Sequence, residues 1–274
     1  MGLRLVMLGD IVGKPGKRVV EQQLPTIRQR YHPDLIVVNA ENIAGGSGIT
    51  PQLFQKLLAY GVHGVTLGDH AFKQKDIIPV MDSTANLIRP ANLPSGAAGR
   101  PWMKLQSDAT LPPLYMVTLL GRIYMHGSPA DDPFATIERL LKTLPRDGVV
   151  VVEMHCEATS EKIAMGHFLD GRVAAVLGTH THVPTADARI LPGGTAFITD
   201  LGMSGPYDSV IGRRKERVVH HMTTAMPIPF DVAEGDVRAC GVVVEIDQRG
   251  RATSIERIEL LADMNRPPFL HDEP

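Results

Sequence analysis

At 274 residues with 43% hydrophobic side chains, the chain has enough apolar surface for a substantial core. A formal charge of −2, with Lys and Arg scattered along the chain, gives no broad electrostatic footprint for a polyanion and favours small ligands over extended nucleic acid. Two cysteines, Cys156 and Cys240, are too few for a disulfide framework and match no zinc-knuckle spacing, which fits a reducing, cytoplasmic setting.

The first apolar run, 3–8, is shorter than a signal-peptide core and leads straight into Gly9-Asp10. No later run approaches a membrane span, and Val6 stands where a myristoylation signal wants Ser or Thr, so no membrane partner is expected. Further β-rich runs bounded by Gly, Pro and Asp follow at 35–38, 64–67, 114–119, 149–154, 173–177 and 196–199. Between them the spacing predicts helices over 15–30, 51–60, 133–144 and 160–169, three of which open with Pro in the first turn. The βαβα order predicts an α/β fold. Residues 92–113 form a Pro- and Gly-rich stretch around Trp102, read as a loop or short β excursion. Residues 213–235 read as a covering insertion before strand-like runs at 241–246 and 253–258. With no repeat and no long linker, one domain spanning 1–274 is expected.

The chemistry collects at the strand ends. Asp10, Glu41, Asn42, Asp69, His70, His155, His180 and His182 all follow predicted strands, where the side chains of an open α/β sheet converge on ligands. Imidazole nitrogen with carboxylate and amide oxygen is a donor set for divalent iron, manganese or zinc, whereas magnesium and calcium prefer oxygen alone. More groups converge than one tetrahedral ion uses, so two ions bridged by a carboxylate are the economical arrangement.

Each piece has a plainer reading. Asp10 could cap the following helix, and Glu41-Asn42 with Gly45 to Gly48 could be an ordinary turn. His180-Thr181-His182 places two imidazoles on one side of an extended segment and is the strongest local signal. His155 alone reads as a structural histidine; its place at the end of run 149–154 raises it to a ligand candidate. His32, His63, His126, His167, His220, His221 and His271 lack such a context and read as surface or core residues. Gly9 to Lys14 fails as a phosphate-binding loop because Pro15 stands where Ser or Thr is required, and Gly45 to Gly48 fails the dinucleotide pattern. Cys156 points away from the His155 face and reads as a buried, inert thiol.

Five segments carry a resemblance over most of the chain: Gly9-Asp10-Ile11-Val12-Gly13, Asn39-Ala40-Glu41-Asn42, Leu67-Gly68-Asp69-His70, His155-Cys156-Glu157-Ala158-Thr159-Ser160-Glu161-Lys162, and Gly178-Thr179-His180-Thr181-His182-Val183-Pro184-Thr185-Ala186-Asp187. They resemble the calcineurin-like metallophosphoesterase superfamily, in particular its bacterial branch of YmdB-like 2′,3′-cyclic nucleotide phosphodiesterases. The resemblance implies a four-layer α/β/β/α sandwich with two mixed sheets. It implies one metal held by Asp10, Glu41, Asn42 and His182 and another by Glu41, Asp69, His155 and His180, with Glu41 bridging. Val12 occupies the position of a common superfamily His, and Asn42 takes over that ligand. Asp69 departs from the familiar Gly-Asn-His; it keeps an oxygen and adds a negative charge.

The expected reaction is hydrolysis of a small phosphodiester, with a metal-bridged hydroxide attacking in line and His70 as general acid. A weakly active regulatory or scaffold protein is the rival from another class. Within enzymes the rivals are a phosphatase or a nuclease, for which Arg213-Arg214-Lys215 is the local argument, a solvated loop explaining it equally well. Members of the branch can self-associate, so the resemblance admits a homo-oligomer.

Overall fold

The computed structural model describes residues 2–125, 127 and 129–263; His126 and His271 lie outside them. β1 (Leu3–Leu8) shows how the chain sorts its apolar residues: Leu3, Leu5 and Met7 face one layer, Val6 and Leu8 the other, as period two requires. Val6 and Leu8 pack under α1 (Gly13–Tyr31) through Val20, Leu24 and Ile27, with Phe54 and Leu57 of α2 (Pro51–Ala59) and Met81 of α3 (Ile78–Ser83). A 3-10 turn, Lys75–Ile77, leads into α3.

Parallel pairing of β1 with β2 (Leu35–Asn39), then β3 (Gly64–Thr66) and β4 (Leu87–Ile88), builds half of the first sheet. The other half is antiparallel: β12 (Val237–Ile246) pairs with β1, and both β11 (Gly205–Pro206) and β13 (Ala252–Leu261) pair with β12. The second sheet runs β5 (Trp102–Leu105), β6 (Leu114–Leu120), β7 (Val149–His155), β8 (Ala175–Thr179), β10 (Ala196–Ile198) and β9 (Arg189–Ile190), parallel except at its two edges.

The sheets face each other across Leu3, Leu5, Met7, Leu35 and Val37 on one side and Met116, Val149, Val151 and Leu177 on the other. The far face of the second sheet, including Tyr115, Val117, Val152 and Met154, lies under Ile137 of α4 (Pro133–Thr143) and Met165 and Leu169 of α5 (Thr159–Leu169). Three apolar layers separate four layers of elements, which is the α/β/β/α sandwich with two mixed sheets.

Several boundaries differ from the sequence reading. Helix α1 opens at Gly13 rather than Pro15, with Val12 as its N-cap, so Asp10 is not a helix cap. The eighth strand lies two residues later than 173–177 because Ala175 to Leu177 pair with Ala196 to Ile198 of β10, which carries polar Thr179 into the sheet. Within 92–113 the β excursion exists, as β5 pairing antiparallel to β6. Within 213–235 lies α6 (Lys215–Thr224), with Val218 buried. Arg213 is not solvated as a basic loop would be: Nη1 donates to Phe230 O at 3.0 Å and Nη2 to Gly46 O at 2.6 Å, tying this segment to the chain just beyond Asn42. A side chain at Gly46 would occupy the space of that guanidinium. Among the described residues no helix is long and apolar enough to cross a membrane.

Candidate metal centre

The period-two alternation that fills the gap between the sheets turns polar at one end of it. Val149 and Val151 are followed on the same face by Glu153 and His155; Leu35 and Val37 by Asn39; Leu177 by Thr179. All four polar residues are buried and satisfy one another. The Glu41 N–H, an obligate donor, bonds Asn39 Oδ1 at 3.1 Å, which turns Asn39 Nδ2 onto Glu153 Oε1 at 2.7 Å. Thr179 Oγ1 also donates to Glu153 Oε1, at 2.7 Å, and Thr118 Oγ1 to Oε2 at 2.8 Å. With its proton committed, the Thr179 hydroxyl accepts from His155 Nδ1 at 2.9 Å, a closer contact than Asn39 Nδ2 at 3.5 Å. The neutral His155 ring therefore presents its Nε2 lone pair to the cluster.

The other two histidines obey the same logic. His182 Nδ1 can only donate to the Ile211 carbonyl, 2.9 Å away, leaving Nε2 facing Asn42 Nδ2 at 3.2 Å and Asp10 Oδ1 at 3.8 Å. His180 Nε2 lies 3.4 Å from Glu157 Oε2, so Nδ1 faces inward, 3.4 Å from Asp69 Oδ1. Both residues take positive φ, 95° at His180 and 65° at His182, an uncommon conformation for non-glycine residues. Asp200 holds the turn between them: its Oδ2 accepts from Thr181 N and Oγ1 at 3.1 and 2.8 Å and from Lys162 Nζ at 2.7 Å, the last a buried ion pair.

The centre is thus a meeting of lone pairs. His155 Nε2 lies 3.1 Å from His180 Nδ1, 3.1 Å from Asp69 Oδ1 and 3.3 Å from Glu41 Oε1. Donor atoms of Glu41, Asp69, His155 and His180 all fall within 4.8 Å of one another, a grouping that could hold a metal ion. Beside it, Asp10 Oδ2 accepts from His180 N at 3.1 Å, while its Oδ1 is buried with no hydrogen-bond partner among the described residues. Two imidazole nitrogens at 3.1 Å, with the Glu41 and Asp69 oxygens, fit a cation between them, the Asp10 oxygen faces His182 beside that group, and the mixed N/O set suits a divalent transition metal. Without a cation, burial pushes the His155 pKa down, but the charges and hydrogen bonds of Glu41 and Asp69 outweigh it and hold the ring well above the ordinary value, so a proton takes the place of the ion on Nε2 and leaves when metal binds. Burial likewise opposes ionisation of Glu41 and Asp69, and His155 overrides it, lowering both.

All eight residues singled out in the sequence meet here. Asn42 does so in an unexpected pose: Nδ2 donates to Glu41 Oε1 at 3.1 Å, and Oδ1 lies 2.8 Å from His70 Nδ1. Presenting Oδ1 to a cation beside His182 would require the amide turned over. His70 donates its backbone N–H to Glu41 Oε2 at 2.9 Å, and its ring lines a cleft of about 270 Å³ with His180, His182, Glu157, Ile211 and Arg213. Gly68 is obligatory because a side chain there would collide with the His155 ring and Glu41. His32, His63, His167, His220 and His221 take no part in the cluster. Burial pushes the Cys156 thiol up to about 12, as an inert cysteine requires.

Sequence reasoning missed Glu153, Thr179, Asp200 and Arg213 as supports. For Glu153 a signal existed: an acid two residues before His155 in an otherwise apolar strand must share its face.

A four-layer sandwich with Asp, Glu, Asn and His donors at strand ends of two facing sheets is the metallophosphoesterase fold. Within that class the chain belongs to the YmdB-like family, whose model, described as YmdB-like protein, matches residues 6–258. A Bacillus subtilis protein named 2′,3′-cyclic-nucleotide 2′-phosphodiesterase is 41% identical over 258 residues, covering 93% of this chain and 96% of that one. A crystal structure described as a novel phosphatase from Mycoplasma pneumoniae superposes with a TM-score of 0.89 at 32% identity, covering 95% and 94% of the two chains. The crystal structure of a hypothetical protein from Thermus thermophilus gives a TM-score of 0.88 at 40% identity, covering 94% and 99%.

Proposed function

We propose that this chain is a cytoplasmic phosphodiesterase that hydrolyses small phosphodiesters, 2′,3′-cyclic nucleotides first among them, with two divalent ions in its centre. The observation that carries this reading is the convergence of three histidines, each with its outer nitrogen engaged, on Glu41, Asp69 and Asp10 Oδ1, an oxygen with no hydrogen-bond partner among the described residues. Asp10, Glu41, Asn42 and His182 would hold one ion and Glu41, Asp69, His155 and His180 the other, with iron or manganese favoured and zinc admissible. Such ions supply a nucleophile from water at neutral pH and positive charge for the phosphoryl oxygens. The relative's name supports the substrate class, and a cleft of about 270 Å³ suits a small ester rather than a long polymer.

His70 is the proton donor to the leaving oxygen in this reading. It borders the cleft directly after Asp69, and Asn42 fixes its ring through Nδ1. If Asn42 turns its oxygen to a cation, its Nδ2 becomes the donor to His70 Nδ1, which leaves the His70 proton on Nε2. The test is hydrolysis of 2′,3′-cyclic AMP with manganese or iron, with chelator, and by His70→Ala. Turnover lost to chelator, and lowered about 10²–10⁴-fold in His70→Ala at unchanged metal content, is the expected result. Two bound ions with no turnover of any small diester would favour the regulatory alternative. An equal rate in His70→Ala on a poor leaving group would remove that residue from its role.

A further inference from the structure

The wall of the cleft carries a carboxylate where an anionic substrate would be expected to meet only cations. Glu157, half-exposed at 51%, lies two residues beyond His155 in the turn before α5, and it lines the cleft with His70, His180, His182 and Arg213. Its ion-pair partner among the described residues is His180, at 3.4 Å. That contact uses one oxygen, Oε2, and keeps the half-exposed carboxylate on the wall of the cleft.

The charges of the two candidate ester classes differ in the way this residue would sense. A phosphodiester carries one negative charge, whereas a phosphomonoester, with its second pKa near about 6, carries close to two at neutral pH. Hydrolysis adds water across one P–O bond, so the diester monoanion becomes a monoester approaching a dianion. Cations in the centre attract both. Discrimination is a difference of affinities, and a like charge placed against the unwanted ligand supplies it.

We propose that Glu157 is a specificity-determining residue that disfavours dianionic phosphomonoesters, selecting diesters as substrates and speeding release of the monoester product. This rests on the phosphodiesterase reading. The plain alternative is that Glu157 only accepts the His180 Nε2–H and keeps that ring in place.

The experiment compares manganese-loaded wild type, Glu157→Gln and Glu157→Asp in two readouts, each normalised to bound metal. The first is kcat/KM for bis(p-nitrophenyl) phosphate against p-nitrophenyl phosphate. The second is calorimetric binding of inorganic phosphate at a pH where it is a dianion. Glu157→Gln is expected to lower the diester-to-monoester ratio about tenfold and to tighten phosphate about tenfold, like-charge repulsion across a half-exposed cleft being of that order. Glu157→Asp, which keeps the charge, should retain the wild-type ratio. Equal losses on both esters with unchanged phosphate affinity would overturn the proposal and leave Glu157 as a support for His180. If wild type turns over no diester, the parent reading fails on its own, and phosphate binding still decides the role of Glu157.

Discussion

The two halves of the centre are built differently. Glu41, Asp69, His155 and His180 crowd together at 3.1–3.4 Å over a floor of buried polar residues that the sheets themselves present. Asp10, Asn42 and His182 stand looser, with His182 Nε2 3.8 Å from Asp10 Oδ1, and the His182 ring is oriented by a backbone carbonyl on the segment that carries Arg213. The first group is anchored by His155 at the end of β7, with Glu41, Asp69 and His180 in the turns that follow strands; the second lies wholly outside the strands. If two ions bind as proposed, metal should be held more tightly by the first half and leave the second first under chelation.

The largest effect should come from the support shared by both halves. Lys162→Met leaves Asp200 as an uncompensated buried charge beneath Thr181, and a loss of about 3–5 kcal/mol is expected in urea unfolding. Lys162→Met with Asp200→Leu should recover only part of that stability, because the Thr181 and Gly202 donors lose their acceptor, and should still lose metal from both halves. Metal loss confined to one half would break the claim of a shared support.

Glu153→Gln attacks only the tight half. It keeps the volume but upsets the chain of donors that sets the His155 tautomer, so metal affinity there should fall about 10–100-fold while the loose half is unchanged. Competition with a graded chelator, read as two steps, measures this. Arg213→Met attacks the loose half through the carbonyls of Gly46 and Phe230; about 1 kcal/mol, roughly a fivefold weaker second step, is expected.

A pH profile of the chelated protein sharpens the contrast with a smaller effect. Because His155 is held above its ordinary value, its contribution to stability is complete below about pH 6.5 and is lost as the pH rises through the raised value. Glu41 and Asp69, held low, contribute above about pH 4 and lose that contribution as the pH falls through their depressed values. Melting temperature should decline on the alkaline side in wild type and not in His155→Ala.

The ligand candidates were legible because each ends an apolar run, and a polar side chain at a strand terminus is a local signal. Their supports were less so. Asn39 and Glu153 meet across 114 residues, and Arg213 reaches Gly46 across 167, so whether each polar group is satisfied depends on sheet facing that periodicity does not encode. Asp10 was ambiguous for the same reason: helix cap and ligand look alike until the His180 N–H arrives from 170 residues away. The strands β4, β9 and β11 escaped notice because two residues carry no period.

Asp10, Glu41, Asn42 and Asp69 rise from the first sheet, and His155, His180 and His182 from the second. An ion shared by Asp69 and His155 would close a chain loop between residues 86 positions apart, much as a disulfide does, and would be lost from the unfolded chain. Occupancy would then act as a reversible cross-link between the two slabs of the molecule, so the protein's lifetime in a cell would follow the supply of free metal as well as its own sequence.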